Sequence, residues 1–509
     1  MWPRFHRRDF GMIAHYLGTI ILLLGVIMLI PLAVSLLMQE WSITSHYLIG
    51  VGVAVTVGGL LRLGRISPGQ LERRQAIAVT GLVWLIGAAI AAVPLWFSGH
   101  YNSFLDAFFE GVSGFTATGM TMCVDLDHLS TADNMWRFIM QFLGGQGVVV
   151  IALSLGVFSK VGSSFYNAEG REEFVLPNVK RTAQFIWRFS SLVVLCGTAV
   201  LFVAMMLRGI EPVRSVFHAL WVTIGSYDTG GFAPQSTSLM YYHSWTLEIT
   251  AMVLMMLGAI NFALYAQILG DNRRTNLRTL LSDLEIRTLA SWIVFMLLVF
   301  VAAICAGEFL DDYSGLVRRG VFTIISATTN AGYQVLTTNQ MTTLLTSGSF
   351  FLLIMAMAIG GSSGSTAGGM KALRIGIVAR NIVSRIKDVL APQSARNTTS
   401  YTHLGRHLLT NELTGAAMTI VLLYIISYIV GALFGIAAGY EAIPATFESV
   451  SATSNAGLSA GIATPEAPVY MKVVYIIQMW MGRLEFLTLL ALVCSVVASL
   501  KPRRRGVEK

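Results

Sequence analysis

Long apolar runs alternate with short polar connections along almost the whole chain. Runs at 17–38, 75–99, 138–159, 189–207, 249–270, 288–307, 341–370 and 413–440 are uncharged and long enough to span, since about 20 apolar residues cross a hydrocarbon core as a helix. Two weaker stretches, 47–61 (short) and 473–500 (interrupted by Arg483 and Glu485), bring the expected spans to ten. Four half-length stretches recur between spans, at about 104–117, 214–228, 316–329 and 442–454, each carrying polar residues every turn or so. They predict half-helices that dip into the membrane from the outer side and stop. The chain must then return as extended backbone, which survives at that depth only when packed in protein or lining a watery cavity. A descending half-helix also aims the negative end of its dipole at the membrane centre, where it favours a cation.

A glycine-bearing phrase closes each half-helix: Gly114-Phe115-Thr116-Ala117-Thr118-Gly119-Met120, Ser226-Tyr227-Asp228-Thr229-Gly230-Gly231-Phe232, Ala327-Thr328-Thr329-Asn330-Ala331-Gly332-Tyr333 and Thr453-Ser454-Asn455-Ala456-Gly457-Leu458. The aligned glycines Gly119, Gly231, Gly332 and Gly457 are 112, 101 and 125 residues apart. Small-residue phrases also serve helix packing, but packing does not require one pattern at four regular positions on one side of the membrane. Four such loops around one axis make a cation filter. Thr116-Ala117, Asp228-Thr229, Thr329-Asn330 and Ser454-Asn455 are expected to turn their carbonyls inward as oxygen ligands for K+. Glycine follows because such loops use backbone angles that L-residues resist and because a side chain would fill the hole. Asp228 has no acidic counterpart in the other copies; its carboxylate either faces the pore mouth or is held by the scaffold, and the scaffold is the preferred reading. Glu110 and Glu448, each nine residues before a filter glycine, either attract cations or, as preferred here, brace the filter backbone.

Composition agrees. The chain is 55% hydrophobic and 12% charged with mean hydropathy +0.66, where soluble proteins carry about 25% charged residues. With the amino terminus placed inside, the inner segments 1–10, 62–74, 160–188, 271–287, 371–411 and 501–509 hold 28 of the 35 Lys and Arg residues, the bias of the positive-inside rule. Both termini are then cytoplasmic. The net charge of +8 reports topology and anionic lipid headgroups rather than nucleic acid, with Lys501-Pro502-Arg503-Arg504-Arg505 as a surface anchor. The first apolar run reads as a retained helix rather than a cleaved leader. Cys123, Cys196, Cys305 and Cys494 are scattered and imply neither disulfides nor a metal. The histidines His15, His46, His100, His128, His218, His243, His403 and His407 show no ligand spacing and read as surface or interfacial groups.

The four phrases, together with Leu143-Gly144-Gly145-Gln146-Gly147-Val148, Gly360-Gly361-Ser362-Ser363-Gly364-Ser365-Thr366-Ala367-Gly368-Gly369-Met370-Lys371 and Met481-Gly482-Arg483-Leu484-Glu485, resemble the TrkH/KtrB-type potassium transporters of the superfamily of K+ transporters. The likeness covers nearly the whole chain, and the two leading helices match the Trk branch. Gly119 fits the K+-selective pattern, serine there being associated with Na+ permeation in plant relatives. The run 360–369 holds only Gly, Ser, Thr and Ala, poor helix formers. The resemblance implies that Gly360, Gly361, Ser362, Ser363, Gly364, Ser365, Thr366, Ala367, Gly368 and Gly369 form a movable intramembrane gate; the alternative is a close helix crossing through Gly364-x-x-x-Gly368. Arg483, near the centre of the last span, costs about 3 kcal/mol or more there. It either projects into the pore and bonds the gate loop's carbonyls or forms a structural salt bridge, to Glu110 or Glu448. Lys371 is expected to snorkel to the inner surface.

The expected fold is thus an all-α integral membrane protein, ten transmembrane helices with four M1-P-M2 pore-loop repeats in fourfold pseudosymmetry. It divides into a two-helix leader (1–74), pore repeats at 75–160, 188–270, 288–385 and 412–500, and a basic tail (501–509). The expected function is K+ uptake across the bacterial inner membrane, by a homodimer in membrane lipid, with K+ as the transported ion and no bound cofactor. By resemblance, nucleotide-binding regulatory subunits of the RCK/TrkA type dock on the inner loops 160–188 and 371–411. The alternative is a secondary carrier for another monovalent cation, coupled to Na+ or H+. The four units run in the same sense, which opposes the inverted repeats of such carriers. No enzyme is expected: Gly360-x-Ser362-x-Gly364 matches a nucleophile elbow only formally, with no strand before it, and neither a Walker A nor a dinucleotide fingerprint occurs.

Overall fold

The computed structural model describes residues 4–64, 72–147, 179–269, 278, 280–305, 313–336, 347–392, 398–484 and 486–500. The tail 501–509, the far half of the expected 138–159 span with Val148, the inner stretch 160–178, residues 341–346 and Glu485 lie outside the described residues.

The leader consists of α1 (Arg7–Ile27), α2 (Leu29–Leu37) and α3 (Trp41–Arg62). α1 and α2 continue each other through a break at Met28. The weak stretch 47–61 proves to be a full 22-residue helix, because its flanking residues from Trp41 onward also stay helical. α1 packs on α3 where glycines meet: a Cβ on Gly18 would lie 2.5 Å from Gly58 O, the close approach that small residues allow in membranes.

Four similar groups follow. The first is α4 (Arg73–Phe97), the half-helix α5 (Phe104–Phe115) and α6 (Thr131–Gln146). Next come α7 (Val179–Met206), the half-helix α8 (Pro212–Tyr227), and α9 (Trp245–Ala259) with α10 (Phe262–Ile268). α11 (Leu284–Cys305), the half-helix α12 (Tyr313–Thr328), α13 (Ser347–Ile359) and α14 (Ala372–Leu390) make the third. The last holds α15 (Asn411–Ala437), the half-helix α16 (Ala442–Thr453), α17 (Val469–Leu484) and α18 (Phe486–Leu500). The helix after each half-helix packs on the half-helix of the following group: α6 on α8, α9 on α12, α13 on α16, and α17 back on α5.

α15 shows why the sequence folds this way in lipid. Its buried face is small or polar (Thr414, Ala417, Ser427, Gly431, Ala432, Gly435), with Ile420, Tyr424 and Tyr428 between. The outer face carries Leu422, Ile425, Ile426, Ile429, Val430 and Leu433, apolar residues that lose nothing by facing acyl chains. Six helices among the described residues are long and apolar enough to cross a membrane, or eight if two bent pairs each count as one span.

Three sequence expectations need correction. The run 249–270 is not one straight helix: it breaks after Ala259 and turns by 95° into α10. Ile260 is extended there and Asn261 caps the new helix, its side chain accepting from Ala263 N–H at 2.8 Å. The run 473–500 likewise breaks between α17 and α18, so Arg483 occupies a last helical turn rather than a helix centre. A two-stranded hairpin, β1 (Ser400–Thr402) with β2 (Arg406–Leu408), also departs from all-α. It is antiparallel, with Tyr401 opposite His407, and turns through His403-Leu404-Gly405, Leu404 having φ +51°.

Candidate functional site: a ring of four loops and the segment beneath it

Each half-helix ends in the same hydrogen-bonded turn. The amides of Thr118, Gly230, Ala331 and Ala456 donate to the carbonyls of Ser113, Gly225, Ser326 and Ser451, each at 2.9 Å. This bond, reaching back five residues, is that of a Schellman cap, which needs a left-handed residue just before it. Ala117, Thr229, Asn330 and Asn455 fill that position with φ of +51°, +48°, +54° and +53°. A non-glycine residue there costs about 1–2 kcal/mol, least for asparagine, so the loops carry local strain at four equivalent points. Thr116, Asp228, Thr329 and Ser454 are the capping residues immediately before. Three residues after these caps, Gly119, Gly231, Gly332 and Gly457 also have positive φ (+94°, +73°, +77°, +81°).

These glycines meet in a closed cycle. A Cβ on Gly119 would lie 2.3 Å from Gly230 O and 3.0 Å from Gly231 Cα; one on Gly231, 2.6 Å from Ala331 O and 3.0 Å from Gly332 Cα. One on Gly332 would lie 2.3 Å from Ala456 O and 3.2 Å from Gly457 Cα, and one on Gly457, 1.9 Å from Thr118 O and 3.2 Å from Gly119 Cα. Side chains at these positions would therefore wedge between neighbouring loops rather than fill a central hole, which corrects half of the argument made for glycine from sequence.

Side chains tie the loops together. Asn330 Nδ2 donates to Ser454 O at 2.7 Å, and Asn455 Nδ2 to Thr118 Oγ1 and Met479 O at 2.9 Å each. Gln141 Nε2 donates to Gly230 O. Glu110 and Glu448 brace their own loops as preferred: Glu110 accepts from Met122 N–H at 2.9 Å, and Glu448 from Ala460 N–H at 2.8 Å and Ala463 N–H at 2.7 Å. Asp228 is fully buried against Gly145 and accepts from Gln146 Nε2 at 2.8 Å, the scaffold placement.

Sequence reasoning gave no role to Arg137 and Lys472, which lie outside the basic inner segments. Both are buried. Arg137 Nε donates to Glu110 Oε1 at 2.7 Å with both side chains fully enclosed, its Nη1 reaches Ala233 O at 3.1 Å, and its guanidinium lies 4.2 Å over the Phe232 ring. Lys472 pairs with Asp106, joining the last group to the first. The available signal was charge beside an apolar run: such a residue is costly in lipid and needs a partner.

Beneath the ring, residues 360–371 run between α13 and α14 without helix, which overturns the reading of Gly364-x-x-x-Gly368 as a helix crossing. Gly360, Gly364, Gly369 and Lys371 take positive φ, so the segment cannot continue α13. It leans on the broken end of α9: Ser362 N–H donates to Ala259 O at 2.8 Å and Thr366 N–H to Gly258 O at 3.2 Å. Thr366 Oγ1 also donates to Tyr227 O at 3.1 Å and accepts from Thr229 Oγ1 at 3.2 Å, so the segment touches the second filter phrase. Gly368 presses on the fourth, its Cβ position being 2.0 Å from Ser454 O. Gly361 packs on Ala259 and Ala367, and Gly364 gives its carbonyl to Phe262 N–H at 3.4 Å. Ser365 Oγ bonds back to Ser362 O at 2.5 Å. Ser363 N–H donates to Glu285 Oε1. Lys371 Nζ donates to Ala367 O instead of only snorkelling.

Arg483 reaches carbonyls of two different groups: Nη1 donates to Thr366 O at 2.8 Å, and Nη2 to Gly145 O at 3.0 Å and to Gly144 O. Glu110 and Glu448 are committed to their own loops, so the salt bridges weighed for Arg483 do not form with them. The histidine reading also needs correction. His218 is buried and bonds Tyr242 Oη at 2.7 Å. His403 is buried against Asp283 at 3.1 Å, with Glu285 completing a cluster whose donor atoms lie within 4.8 Å of one another.

Comparison with known proteins gives the chain a family. Residues 43–499 match the family described as TrkH, cation transport protein. An uncharacterized cation transporter of Methanocaldococcus jannaschii is 29% identical over 96% of both chains. The Trk system potassium uptake protein TrkH of Escherichia coli K12 is 27% identical over 95% of this chain and 98% of its own length. The crystal structure of the potassium transporter TrkH from Vibrio parahaemolyticus superposes with TM-score 0.80 at 24% identity, over 96% of this chain and 99% of that one, a likeness of fold. With nine-tenths of its length matched by one family model, the chain belongs to the TrkH family of cation transport proteins.

Proposed function

We propose that the chain is the membrane subunit of a bacterial K+ uptake system and that K+ passes through the ring of four loops. The closed glycine cycle carries this reading. Four strained backbone turns packed edge to edge offer uncharged carbonyl oxygens that can replace the water around K+, and four half-helix C-termini converge there with their negative dipole ends. Relatives named as potassium uptake proteins support K+ as the ion. In this reading the filter comprises Thr116, Ala117 and Gly119; Asp228, Thr229 and Gly231; Thr329, Asn330 and Gly332; and Ser454, Asn455 and Gly457. K+ is cargo rather than a resident cofactor, and it enters down the membrane potential, worth about 2.3 kcal/mol per charge per 100 mV.

The units at 75–160, 188–270, 288–385 and 412–500 are then pseudo-fourfold repeats after the leader 1–74. They make ten spans in an inner membrane, with both termini and the tail 501–509 in the cytoplasm. Residues 360–369 and Arg483 form the gate: the loop lies across the path from the ring, and the guanidinium both repels cations and pins the loop. Two chains pair as a homodimer, and nucleotide-binding subunits of the RCK/TrkA type act from the cytoplasmic side through 160–188 and 371–411.

Rescue of growth on low K+ in a bacterium lacking its own K+ transporters is the expected result; no rescue, alone or with a regulatory subunit, overturns the reading. Arg483→Ala should raise K+ flux in liposomes about tenfold, the scale of one charge-assisted hydrogen bond, and unchanged flux there and on deletion within 360–369 would remove the gate. Gly119→Ser should weaken discrimination against Na+, because its Cβ must displace Gly230 O. Reversal potentials in mixed K+ and Na+ measure this, and unaltered selectivity would argue against carbonyl coordination at that position.

A further inference from the structure

The segment proposed as the gate has an anchor on its inner side that the filter does not explain. Among its residues, Ser363 and Gly364 are the two partly exposed ones before Lys371, and it is here that the anchor attaches. Ser363 N–H donates to Glu285 Oε1. The other oxygen of Glu285 accepts from Asn261 Nδ2 at 3.5 Å. Asn261 is the residue that restarts the chain as α10 after the break in α9, and it sits beside Gly364: a Cβ there would lie 3.2 Å from Asn261 Oδ1. One fully buried carboxylate therefore holds the gate segment and the elbow it leans on.

Glu285 is itself tied to the cytoplasmic hairpin. Its backbone N–H donates to Asp283 Oδ1 at 2.9 Å, and Asp283 caps α11 by also accepting from Ile286 N–H at 3.4 Å. The second oxygen of Asp283 takes Leu404 N–H at 3.2 Å and faces His403 Nδ1 at 3.1 Å. His403 and Leu404 are the turn of the β1–β2 hairpin, and Leu404 O accepts from Gln267 Nε2 of α10 at 3.4 Å. The hairpin continues from α14, where Arg380 Nη1 donates to Ser400 O at 2.6 Å. Asp283, Glu285 and His403 bring three metal-ligand types together, but their carboxylate oxygens already accept bonds from backbone and amide donors, which points to a mechanical joint rather than an ion site.

We propose that Glu285 is a positioning residue for the gate segment, and that Asp283 and His403 link it to the hairpin 400–408, so that a pull on the hairpin loosens the segment. This rests on the gate reading above. A hydrogen-bonded chain of buried groups earns the name of a coupling only when its members prove energetically interdependent, and the test is built on that.

K+ flux is measured with full-length protein in liposomes for Glu285→Ala, Glu285→Gln, His403→Ala, the double variant Glu285→Ala/His403→Ala, and Arg483→Ala. Glu285→Ala, which removes both oxygens, should raise basal flux about tenfold, the scale of one charge-assisted bond. Glu285→Gln, which keeps an oxygen for Ser363 N–H, should stay within about threefold of wild type. His403→Ala should raise flux severalfold, and the double variant should match Glu285→Ala rather than multiply the two effects. Wild-type flux in Glu285→Ala while Arg483→Ala is raised would overturn the anchor and leave the gate standing; wild-type flux in both would sink the gate itself. Multiplicative effects would break the link to the hairpin. If Glu285→Ala is not monodisperse, the labelling rate of Ser363→Cys by a membrane-impermeant maleimide, in a background with the native cysteines replaced, decides instead. It should rise at least about fivefold with His403→Ala, and an unchanged rate overturns the link.

Discussion

Gly457→Ala is expected to cut K+ uptake by about a hundredfold or more while leaving the protein in the membrane. Two separate costs meet at this position. Its φ of +81° is left-handed, which charges any L-residue about 1–2 kcal/mol. Its Cβ would also stand 1.9 Å from Thr118 O, well inside van der Waals contact, so either the fourth loop or the first must move by more than an ångström. Both loops belong to the ring, and Thr118 is held by Asn455 of the fourth loop and by the Schellman bond to Ser113. Gly439 offers the matched control. It has φ +94°, and a Cβ there meets nothing within 4 Å, so Gly439→Ala carries the backbone cost without the collision. Uptake near wild type for Gly439→Ala beside near-zero uptake for Gly457→Ala would isolate the ring contact as the cause. Equal, mild losses in both would mean that the loops have room to part, and the closed cycle would lose its functional weight.

Arg137→Met should lower stability more than any surface substitution, by about 3–5 kcal/mol, because it strands the Glu110 charge in a fully enclosed site. Glu110 also holds Met122 N–H and Thr121 Oγ1, so the first loop loosens with it. The measurement is the midpoint of thermal unfolding in detergent, followed by selectivity of whatever folded protein remains. Glu110→Gln/Arg137→Met should recover more than half of the loss, since glutamine keeps an oxygen for Met122 N–H and carries no charge. A single variant as stable as wild type would show that water reaches the pair and that the braces matter less than their burial suggests.

How much of this was legible beforehand differs from element to element. The half-helices expected at 104–117, 214–228, 316–329 and 442–454 appear at 104–115, 212–227, 313–328 and 442–453, because their length and the glycine phrase that stops them are local properties. The long helices α1, α4, α7, α11 and α15 were equally readable as sustained apolar runs. The break at Asn261 was not, since nothing in an apolar window separates a straight helix from one whose last carbonyls are taken by another segment; the stretch around Leu484 was marked only by the charges of Arg483 and Glu485. Gly258 and Ala259 end α9 by giving their carbonyls to Thr366 and Ser362, more than a hundred residues away. The hairpin at 400–408 was hidden for a different reason: two three-residue strands are too short to show a period of two.

The sequence by itself determined a lipid-embedded helical chain with four equivalent turning points, because hydrophobic length and glycine placement act within a few residues of themselves. Only the tertiary structure decided that these turns close on one another, that Arg137 and Lys472 are internal, and that Arg483 grips carbonyls of two different groups. Each of those facts depends on which distant surfaces come into contact. That is settled when packing matches a buried donor to its acceptor, and a linear pattern of residue types carries no record of it.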